Sequence, residues 1–262
     1  MRSSVTPSGA AGEPPAAPEG AFRIVSWNCQ GGCAKKGAHM TALRPDLAVV
    51  SEAGPHALRD VSLDWPPTAG ALAGPHPELG VFALGDTRLE VLDAHPGDAR
   101  SPLIAARVAA PSLSFIVVAV CVRPTETGPR HGRYADALLQ ALERHEGLLR
   151  AGPAVVVGDF NTSAALDRTR NRRDHLRVVD ALAGLGLASA WHHMAGAGHG
   201  DEPTGTFHMY RWPHSDPLHL DYCFVPEAWL PRVRTAWIGP PDPWLTRSDH
   251  LPLVVDVAVS QT

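Results

Sequence analysis

The chain has little of several features that mark common protein classes. Its 262 residues include only four cysteines, which are too few and too scattered for a disulfide framework. Cys29 and Cys33 lie close in sequence, but no second pair follows to complete a zinc site, so we interpret the thiols as free. Lysine is almost absent, since Lys35 and Lys36 are the only two.

Positive charge is not in excess either. Lysine and arginine together number 23 and the acids 27, which gives a formal net charge of −4. This balance argues against a strong, non-specific electrostatic grip on nucleic acid. It does not exclude a nucleic-acid substrate, because a bound divalent cation would offset several acids locally.

Long apolar segments are also missing. No run of apolar residues reaches the length of a membrane span, and residues 1–20 lack the apolar stretch of a secretory signal, so we expect a soluble, cytoplasmic protein. Residues 1–20 are rich in Pro, Ala, Gly and Ser, which predicts a disordered tail. Residues 21–262 are then expected to form one folded domain.

Short apolar and alternating segments predict many strands and few helices. An antiparallel pair at 80–84 and 89–92 is expected around a Gly85-Asp86 turn. This pattern predicts an α/β domain in which two mixed sheets pack face to face with helices outside. The other predicted strands lie at 22–27, 47–50, 104–108, 114–122, 154–157, 220–225 and 253–259, and the predicted helices at 36–43, 134–149 and 175–185.

The most informative segment is the run from Ala154 to Asn161. A buried strand ends at Gly158, and Asp159 and Asn161 follow it directly. Residues two apart in an extended segment point the same way, so these two side chains can address one ligand together. A carboxylate that activates water and an amide that holds an oxyanion favour hydrolysis.

Other strands end in the same way, with a polar residue near the carboxyl end. Oxygen ligands of this kind suit Mg²⁺ or Mn²⁺ better than zinc. A histidine next to a carboxylate adds a general acid or base, so the set indicates metal-assisted phosphoryl hydrolysis. The positions are Asn28, Glu52, Asp159 with Asn161, Asp221, and Asp249 with His250.

These positions, in this order, resemble the motifs of the endonuclease/exonuclease/phosphatase superfamily, which has the deoxyribonuclease-I-like fold. The resemblance covers about residues 22–259 and implies a four-layer α/β sandwich with its active site at one edge of the paired sheets. The motifs are Trp27-Asn28, Glu52, Gly158-Asp159-Phe160-Asn161, Leu220-Asp221-Tyr222 and Ser248-Asp249-His250.

The resemblance implies a role for each residue on the metal side of the site. Glu52 resembles the main metal-ligating carboxylate, with Asn28 beside it, and Asp249 a further metal-side carboxylate. The implied cofactor is Mg²⁺ or Mn²⁺.

On the catalytic side, the resemblance implies that Asp159 orients or deprotonates the attacking water and that Asn161 steadies the transition state. His250 resembles the histidine that contacts the scissile phosphate, and Asp221 the acid that orients it. A carboxylate partner would fix the histidine tautomer and favour its charged form.

One position departs from the family pattern. Many members have His or Tyr where this chain has Cys121, and a thiol is a weaker proton donor to a leaving group. Arg123, His131 or Arg133 are alternative sources of a cation there.

The segment from Trp191 to Trp212 is rich in His and aromatic residues and resembles bacterial members of the same superfamily. It predicts either a substrate wall or a surface loop over the sheet edge. His193 and Arg211, with Arg123, are the candidate substrate contacts. A zinc site from His192, His193 and His199 lacks a defined ligand spacing.

The leading hypothesis is a Mg²⁺-dependent phosphoesterase that acts by direct attack of water on a phosphodiester, with a nuclease as the first candidate. An inositol phosphate or sphingolipid phosphoesterase is the second. A catalytically weak binding protein that keeps the fold is the third, and Cys121 favours it. The expected partner is a phosphate-ester substrate, with nucleic acid as one candidate, and no obligate protein partner is evident.

Overall fold

The computed structural model describes residues 14–54, 70–73, 79–93, 103–123, 133–210 and 216–259. Within these ranges, six consecutive strands, β2 to β7, lie between the first helix and the second, and helices and strands are interspersed in the rest of the chain. The strands are β1 (Ala21–Asn28), β2 (Leu47–Ser51), β3 (Gly70–Ala73), β4 (Leu79–Ala83), β5 (Arg88–Asp93), β6 (Leu103–Ala110), β7 (Leu113–Cys121), β8 (Ala154–Asp159), β9 (Leu187–Ser189), β10 (Asp221–Pro226), β11 (Val233–Ile238) and β12 (Leu253–Ala258). The helices are α1 (Cys33–Ala42), α2 (Arg133–Arg144), α3 (Glu146–Leu149), α4 (Ala164–Arg170), α5 (Asp174–Gly184), α6 (Ala190–Ala195) and α7 (Pro241–Trp244), with a 3-10 helix at Glu227–Arg232.

The strands form two six-stranded mixed sheets. The first sheet has the order β11-β12-β1-β2-β4-β3, and the second has the order β5-β6-β7-β8-β10-β9. Each sheet contains one parallel pair, β1 with β2 and β7 with β8, flanked by antiparallel neighbours. The carboxyl ends of these four parallel strands are where the sequence places most of its candidate site residues.

The two sheets pack face to face, and helices cover their outer faces. Apolar side chains of both sheets, such as Val49 and Val157, form the central core. A second apolar cluster joins the outer face of the second sheet to α2 and α5, and a third joins the first sheet to α1 and α7. The predicted four-layer α/β sandwich is therefore confirmed, because strands buried on both faces need cover on each side.

The predicted antiparallel pair at 80–84 and 89–92 is wrong, although both strands exist. β4 lies between β2 and β3 in the first sheet, so neither of its edges is left for β5. The chain turns at Leu84, whose carbonyl accepts the Thr87 N–H at 3.2 Å, and β5 then pairs with β6 in the second sheet. At the Gly85-Asp86 turn the chain passes from the first sheet to the second.

The predicted helix at 134–149 is interrupted at His145, which separates α2 from α3. The backbone of His145 leaves the helical region, and its Nδ1 lies 2.7 Å from the carbonyl oxygen of Ala141. A side chain bound to the preceding turn competes with helix continuation.

Both chain ends lie partly outside the described residues. The predicted disordered tail falls on residues 1–20, of which 1–13 are not described. Residues 14–20 form neither helix nor strand, but the Pro15 carbonyl accepts a hydrogen bond from Arg23 at 2.7 Å. None of the helices in the described ranges is both long and apolar enough to cross a membrane.

Candidate active site

The end of β8 is shaped by Gly158. Its φ of 139° lies outside the range that other residues favour, and a Cβ atom there would sit 2.0 Å from the Val120 carbonyl oxygen of β7. Only glycine allows the two parallel strands to approach this closely. The close approach places Asp159 at the sheet edge, level with Cys121 of β7.

Asp159 and Asn161 are hydrogen-bonded to each other across a turn, and they do not point the same way from an extended strand as the sequence predicted. The Asp159 carboxylate accepts the Asn161 backbone N–H at 2.9 Å and its amide Nδ2 at 3.0 Å. Asn161 has φ +52°, in the left-handed region that Asn tolerates well. Its Nδ2 also donates to the Val122 carbonyl at 2.9 Å, so both amide protons are engaged.

Asp221 and His250 form a buried pair. His250 Nδ1 lies 2.7 Å from Asp221 Oδ2, and both side chains are at least 95% removed from solvent. Burial alone would lower the pKa of His250, but the Asp221 carboxylate, through its charge and its hydrogen bond, raises it to about 9. The imidazole is therefore held as a cation at neutral pH, with its tautomer fixed by the acid.

The antiparallel pairing of β8 and β10 brings the two acids together. Asp221 is the register partner of Asp159, and the ligand atoms of Asp159, Asp221 and His250 all lie within 4.8 Å of one another. Burial and then the Asp221 charge raise the pKa of Asp159 to about 7, although His250 opposes this. Oδ1 of Asp221 is buried without a hydrogen-bond partner among the described residues.

The first sheet contributes Asn28 and Glu52 from the ends of β1 and β2. Asn28 Nδ2 donates to Glu52 Oε1 at 3.0 Å and to Asp159 Oδ2 at 2.9 Å, which joins the two sheets at this edge. The oxygen of Asn28 accepts the Gln30 N–H at 3.0 Å. Glu52 is half-buried and has φ +52°, which turns the chain immediately after β2.

Asp249 lies at the same edge, on the loop before β12. Its carboxylate accepts Gln30 Nε2 at 3.0 Å, and burial raises its pKa, with Glu52 contributing through its negative charge. The neighbouring Ser248 donates to the Asn28 carbonyl at 2.7 Å and accepts the His250 N–H at 3.0 Å. These bonds fix the Asp249-His250 loop against β1.

The structure does not bring the predicted substrate contacts among its described residues, Arg123 and His193, together at one place. Arg123 is exposed just after β7, and its charge lowers the pKa of Tyr134. His193 is exposed on α6, and no hydrogen bond or ring contact joins it to the site within the described ranges. Arg211 and His131 lie outside the described residues. Cys121 is buried, and burial followed by the Asp159 charge raises the pKa of its thiol to about 12.

The predicted substrate wall divides into two parts. Trp191 and His192 are buried and belong to the interior, away from any surface a substrate would reach. The later part does meet the site, because the Phe207 ring lies 4.8 Å from that of His250 and the His208 N–H donates to the Asp249 carbonyl at 2.8 Å.

Sequence reasoning missed Tyr134 and Gln30. Tyr134, the second residue of α2, is half-buried, and burial followed by the Asp159 charge raises the pKa of its hydroxyl, while Arg123 lowers it. It therefore lies within electrostatic reach of the site. Tyr134 lies near the start of a helix, so the strand-end pattern gave no signal for it, whereas Gln30 follows the end of β1 by two residues and could have been found by the same pattern as Asn161.

The donor set at this edge fits a hard divalent cation. Carboxylates from Glu52, Asp159 and Asp249 lie among amide groups, and the pKa values of Asp159 and Asp249 are raised partly by neighbouring acids. A cation would relieve that repulsion, and oxygen donors are those that Mg²⁺ and Mn²⁺ prefer. The protonated His250 adds a donor for an anionic ligand.

Three solved structures have a similar fold at low sequence identity. AP endonuclease LMAP from Leishmania major aligns with a TM-score of 0.69 and 15% identity, over 92% of this chain and 89% of that one. The endonuclease domain of TRAS1, a telomere-specific non-LTR retrotransposon, has a TM-score of 0.64 and 14% identity, over 92% and 100% of the two chains. A functionally unknown conserved protein from Enterococcus faecalis V583 has a TM-score of 0.64 and 14% identity, over 91% and 100%.

A search of curated proteins found no match by sequence. The sequence profile of the Endonuclease/Exonuclease/phosphatase family matches residues 25–250, which include every described candidate site residue. This family consists of divalent-metal-dependent phosphoesterases, nucleases among them. The profile match spans most of the chain, and the protein therefore belongs to the Endonuclease/Exonuclease/phosphatase family.

Proposed function

We propose that the protein is a Mg²⁺- or Mn²⁺-dependent phosphoesterase that hydrolyses a phosphodiester by direct attack of water. The observation that supports this most strongly is the buried group of Asp159, Asp221 and His250, whose ligand atoms lie within 4.8 Å of one another. A carboxylate with a pKa of about 7 beside a histidine with a pKa of about 9 is a base next to an acid.

We assign the metal to the side of the site formed by Glu52 and Asp249. A bound Mg²⁺ or Mn²⁺ would polarise the phosphate and offset its charge. Asn28 lies between Glu52 and Asp159 and donates a hydrogen bond to each carboxylate. We therefore propose that Asn28 orients these two carboxylates. The Asn28 oxygen accepts the Gln30 N–H and has a second lone pair, so it can also serve as the ligand that the resemblance implies.

On the other side, Asp159 would accept a proton from the attacking water. His250 would donate to a phosphoryl oxygen, and Asp221 would keep its ring charged and aligned. Asn161 would position Asp159 instead of touching the phosphate, since both of its amide protons are already donated. No covalent intermediate is needed, because the two thiols of the described chain beside Glu52 and Asp159, Cys29 and Cys121, are buried and have raised pKa values.

A nuclease is the first candidate among phosphodiesterases. Support comes from the fold shared with the endonucleases LMAP and TRAS1. A small-molecule or lipid phosphoesterase is the second candidate, and the charge balance favours it. The net charge is −4, and the chain has no lysine after Lys36 that could bind the phosphates of a nucleic-acid backbone. Within the described chain, Arg123 and Tyr134 are the residues that we propose to contact the substrate. A cytoplasmic location is a separate prediction.

A substrate panel tests this proposal. Purified protein with Mg²⁺ would be offered duplex DNA with and without an abasic site, single-stranded DNA, RNA, inositol phosphates and sphingolipids. Hydrolysis of one class that stops with chelator supports the proposal, and cleavage of a nucleic acid supports the nuclease. Binding without turnover across the whole panel would favour a catalytically weak protein that keeps the fold.

A further inference from the structure

A second group of titratable side chains lies in the interior, outside the candidate active site. We call it the histidine cluster. The His192 and His199 rings stack with their centroids 3.7 Å apart, and the ring centroids of His175 and His219 lie 5.1 Å from those of His199 and His192 respectively. Its members come from α5, α6, the loop after α6 and the residues before β10: His175, His192, His199, Glu202 and His219.

Three of these residues are close enough to share one ion. His192 Nε2 lies 3.1 Å from Glu202 Oε1, and the ligand atoms of His192, His199 and Glu202 all lie within 4.8 Å of one another. Zinc bonds of about 2.0–2.2 Å to nitrogen and oxygen place tetrahedral ligands roughly 3–4 Å apart. The three donors therefore need only small movements to reach that geometry.

Further hydrogen bonds orient these donors. Ser189 Oγ lies 2.8 Å from His192 Nδ1, which leaves Nε2 to face Glu202. The Gly200 N–H donates to Glu202 Oε1 at 2.8 Å. His175 Nε2 lies 3.1 Å from His199 Nδ1. Partners of this kind fix the ring orientation and tautomer of metal-binding histidines.

His219 lies beside these three donors. Its side chain is 2% exposed, and neither ring nitrogen has a hydrogen-bond partner at normal distance and angle among the described residues, although the Thr204 backbone lies near enough to oppose the lowering of its pKa by burial. A buried polar group that is poorly paired costs free energy. The ring packs against His192, but its nitrogen atoms are not among those that lie within 4.8 Å of one another, so His219 would join an ion only after a shift of its ring.

We propose that the histidine cluster binds one zinc ion through His192, His199 and Glu202, with His219 as the fourth ligand. Three imidazoles and one carboxylate favour zinc over magnesium, in contrast to the oxygen-rich active site. The role is structural. The ion would tie the loop after α6 to the residues before β10, and this loop contains Thr206, whose hydroxyl accepts the Asp221 N–H at 3.0 Å.

The test must separate this site from the active-site metal. We would therefore use the Glu52→Gln protein, stripped with chelator, and titrate it with Zn²⁺ by calorimetry and elemental analysis. Co²⁺ would serve as a second probe, because tetrahedral nitrogen-rich coordination gives strong visible absorption and octahedral oxygen coordination gives weak absorption. All variants are made in the Glu52→Gln protein. They are His199→Ala and Glu202→Gln, and the matched control is His193→Ala, because His193 is an exposed histidine on the same helix as His192.

We expect one Zn²⁺ per chain in the Glu52→Gln protein and in the His193→Ala control. The affinity should fall by roughly a hundredfold or more in His199→Ala and Glu202→Gln, with loss of the Co²⁺ spectrum. The proposal is overturned if the Glu52→Gln protein takes up no zinc, or if His193→Ala weakens binding as much as His199→Ala. Those results would identify a metal-free hydrogen-bonded network. Neither result bears on the phosphoesterase proposal, which the wild-type substrate panel decides.

Discussion

The Nδ1 atom of His250 lies 2.7 Å from Oδ2 of Asp221, and the two side chains come from the separate sheets of the sandwich. Asp221 begins β10 in the second sheet, and His250 precedes β12 in the first. The pair is therefore both a link between the sheets and the source of the charge on His250. Because both groups are buried, solvent does little to screen this interaction.

Substitution of Asp221 by Asn should lower the pKa of His250. With Asp221 present this pKa is about 9; without it burial still lowers the value while Asp159 and Asp249 still raise it, so we expect a fall of about one unit or more. We expect wild-type kcat/KM to fall above about pH 9, and the alkaline limb of Asp221→Asn to move to lower pH by about the same amount. A pH–rate profile measures this, and an unmoved limb would refute the assigned role of His250.

The same pair should affect folding stability with a defined sign. The pKa of His250 is raised in the folded state, so its contribution is complete below the unfolded pKa of about 6.5 and is lost as pH rises through about 9. The free-energy difference between wild type and Asp221→Asn should therefore shrink between these two pH values. Urea unfolding across this range checks it, and a difference that grows with pH would contradict the assignment.

Asp159→Asn should abolish most activity without unfolding the protein. The change removes the proposed proton acceptor and keeps the side-chain size, so we expect a loss of roughly a hundredfold to ten-thousandfold in kcat. Asp180→Asn is the control, because Asp180 lies in an exposed ion pair on α5. Steady-state kinetics and circular dichroism provide the measurement. If Asp159→Asn keeps more than about half of the activity, Asp159 is not the acceptor.

Glu52→Gln should change the metal requirement more than the maximal rate. Loss of one anionic ligand weakens cation binding, so we expect the Mg²⁺ concentration for half-maximal activity to rise by about tenfold to a hundredfold. The exposed Glu90 offers a control as Glu90→Gln. An unchanged Mg²⁺ dependence would remove Glu52 from the metal side of the site.

Gly158→Ala should destabilise the fold strongly. A Cβ atom would lie 2.0 Å from the Val120 carbonyl oxygen, and the φ of 139° is unfavourable for alanine. We expect a loss of more than about 3 kcal/mol in the free energy of unfolding. Gly152→Ala is the control, because a Cβ there would meet nothing within 4 Å, and it should be near neutral. Equal effects of the two substitutions in urea unfolding would contradict this account of the strand end.

Much of the fold could be predicted from the sequence because its strands are short apolar runs with clear ends. The same pattern found Asp159, which ends β8, whereas Asp221 begins β10 and does not follow the carboxyl end of a strand as the pattern predicted. The sequence does not show which strands share a sheet, so it predicts a hairpin at Gly85 that the structure does not contain. Sheet membership depends on which strand edges are already occupied, and that is a property of the whole fold.

The site was less predictable where function depends on contacts between distant segments. His192 and His193 are identical in type and adjacent, yet only His192 enters the histidine cluster, because one side of α6 faces the interior. Glu202 joins that cluster from a loop with no strand or helix to mark it. Tyr134 likewise lies near Asp159 only through the packing of α2 against the second sheet.

We propose above that the edge of the sandwich around Asp159, Asp221 and His250 performs metal-dependent phosphoester hydrolysis. The most direct measurement is release of nitrophenol from bis(nitrophenyl) phosphate by wild type and Asp159→Asn, each with Mg²⁺, with Mn²⁺ and with excess chelator. We expect turnover only by wild type with metal, and none with chelator. Equal rates in the two proteins, or a wild-type rate unaffected by chelator, would contradict the account.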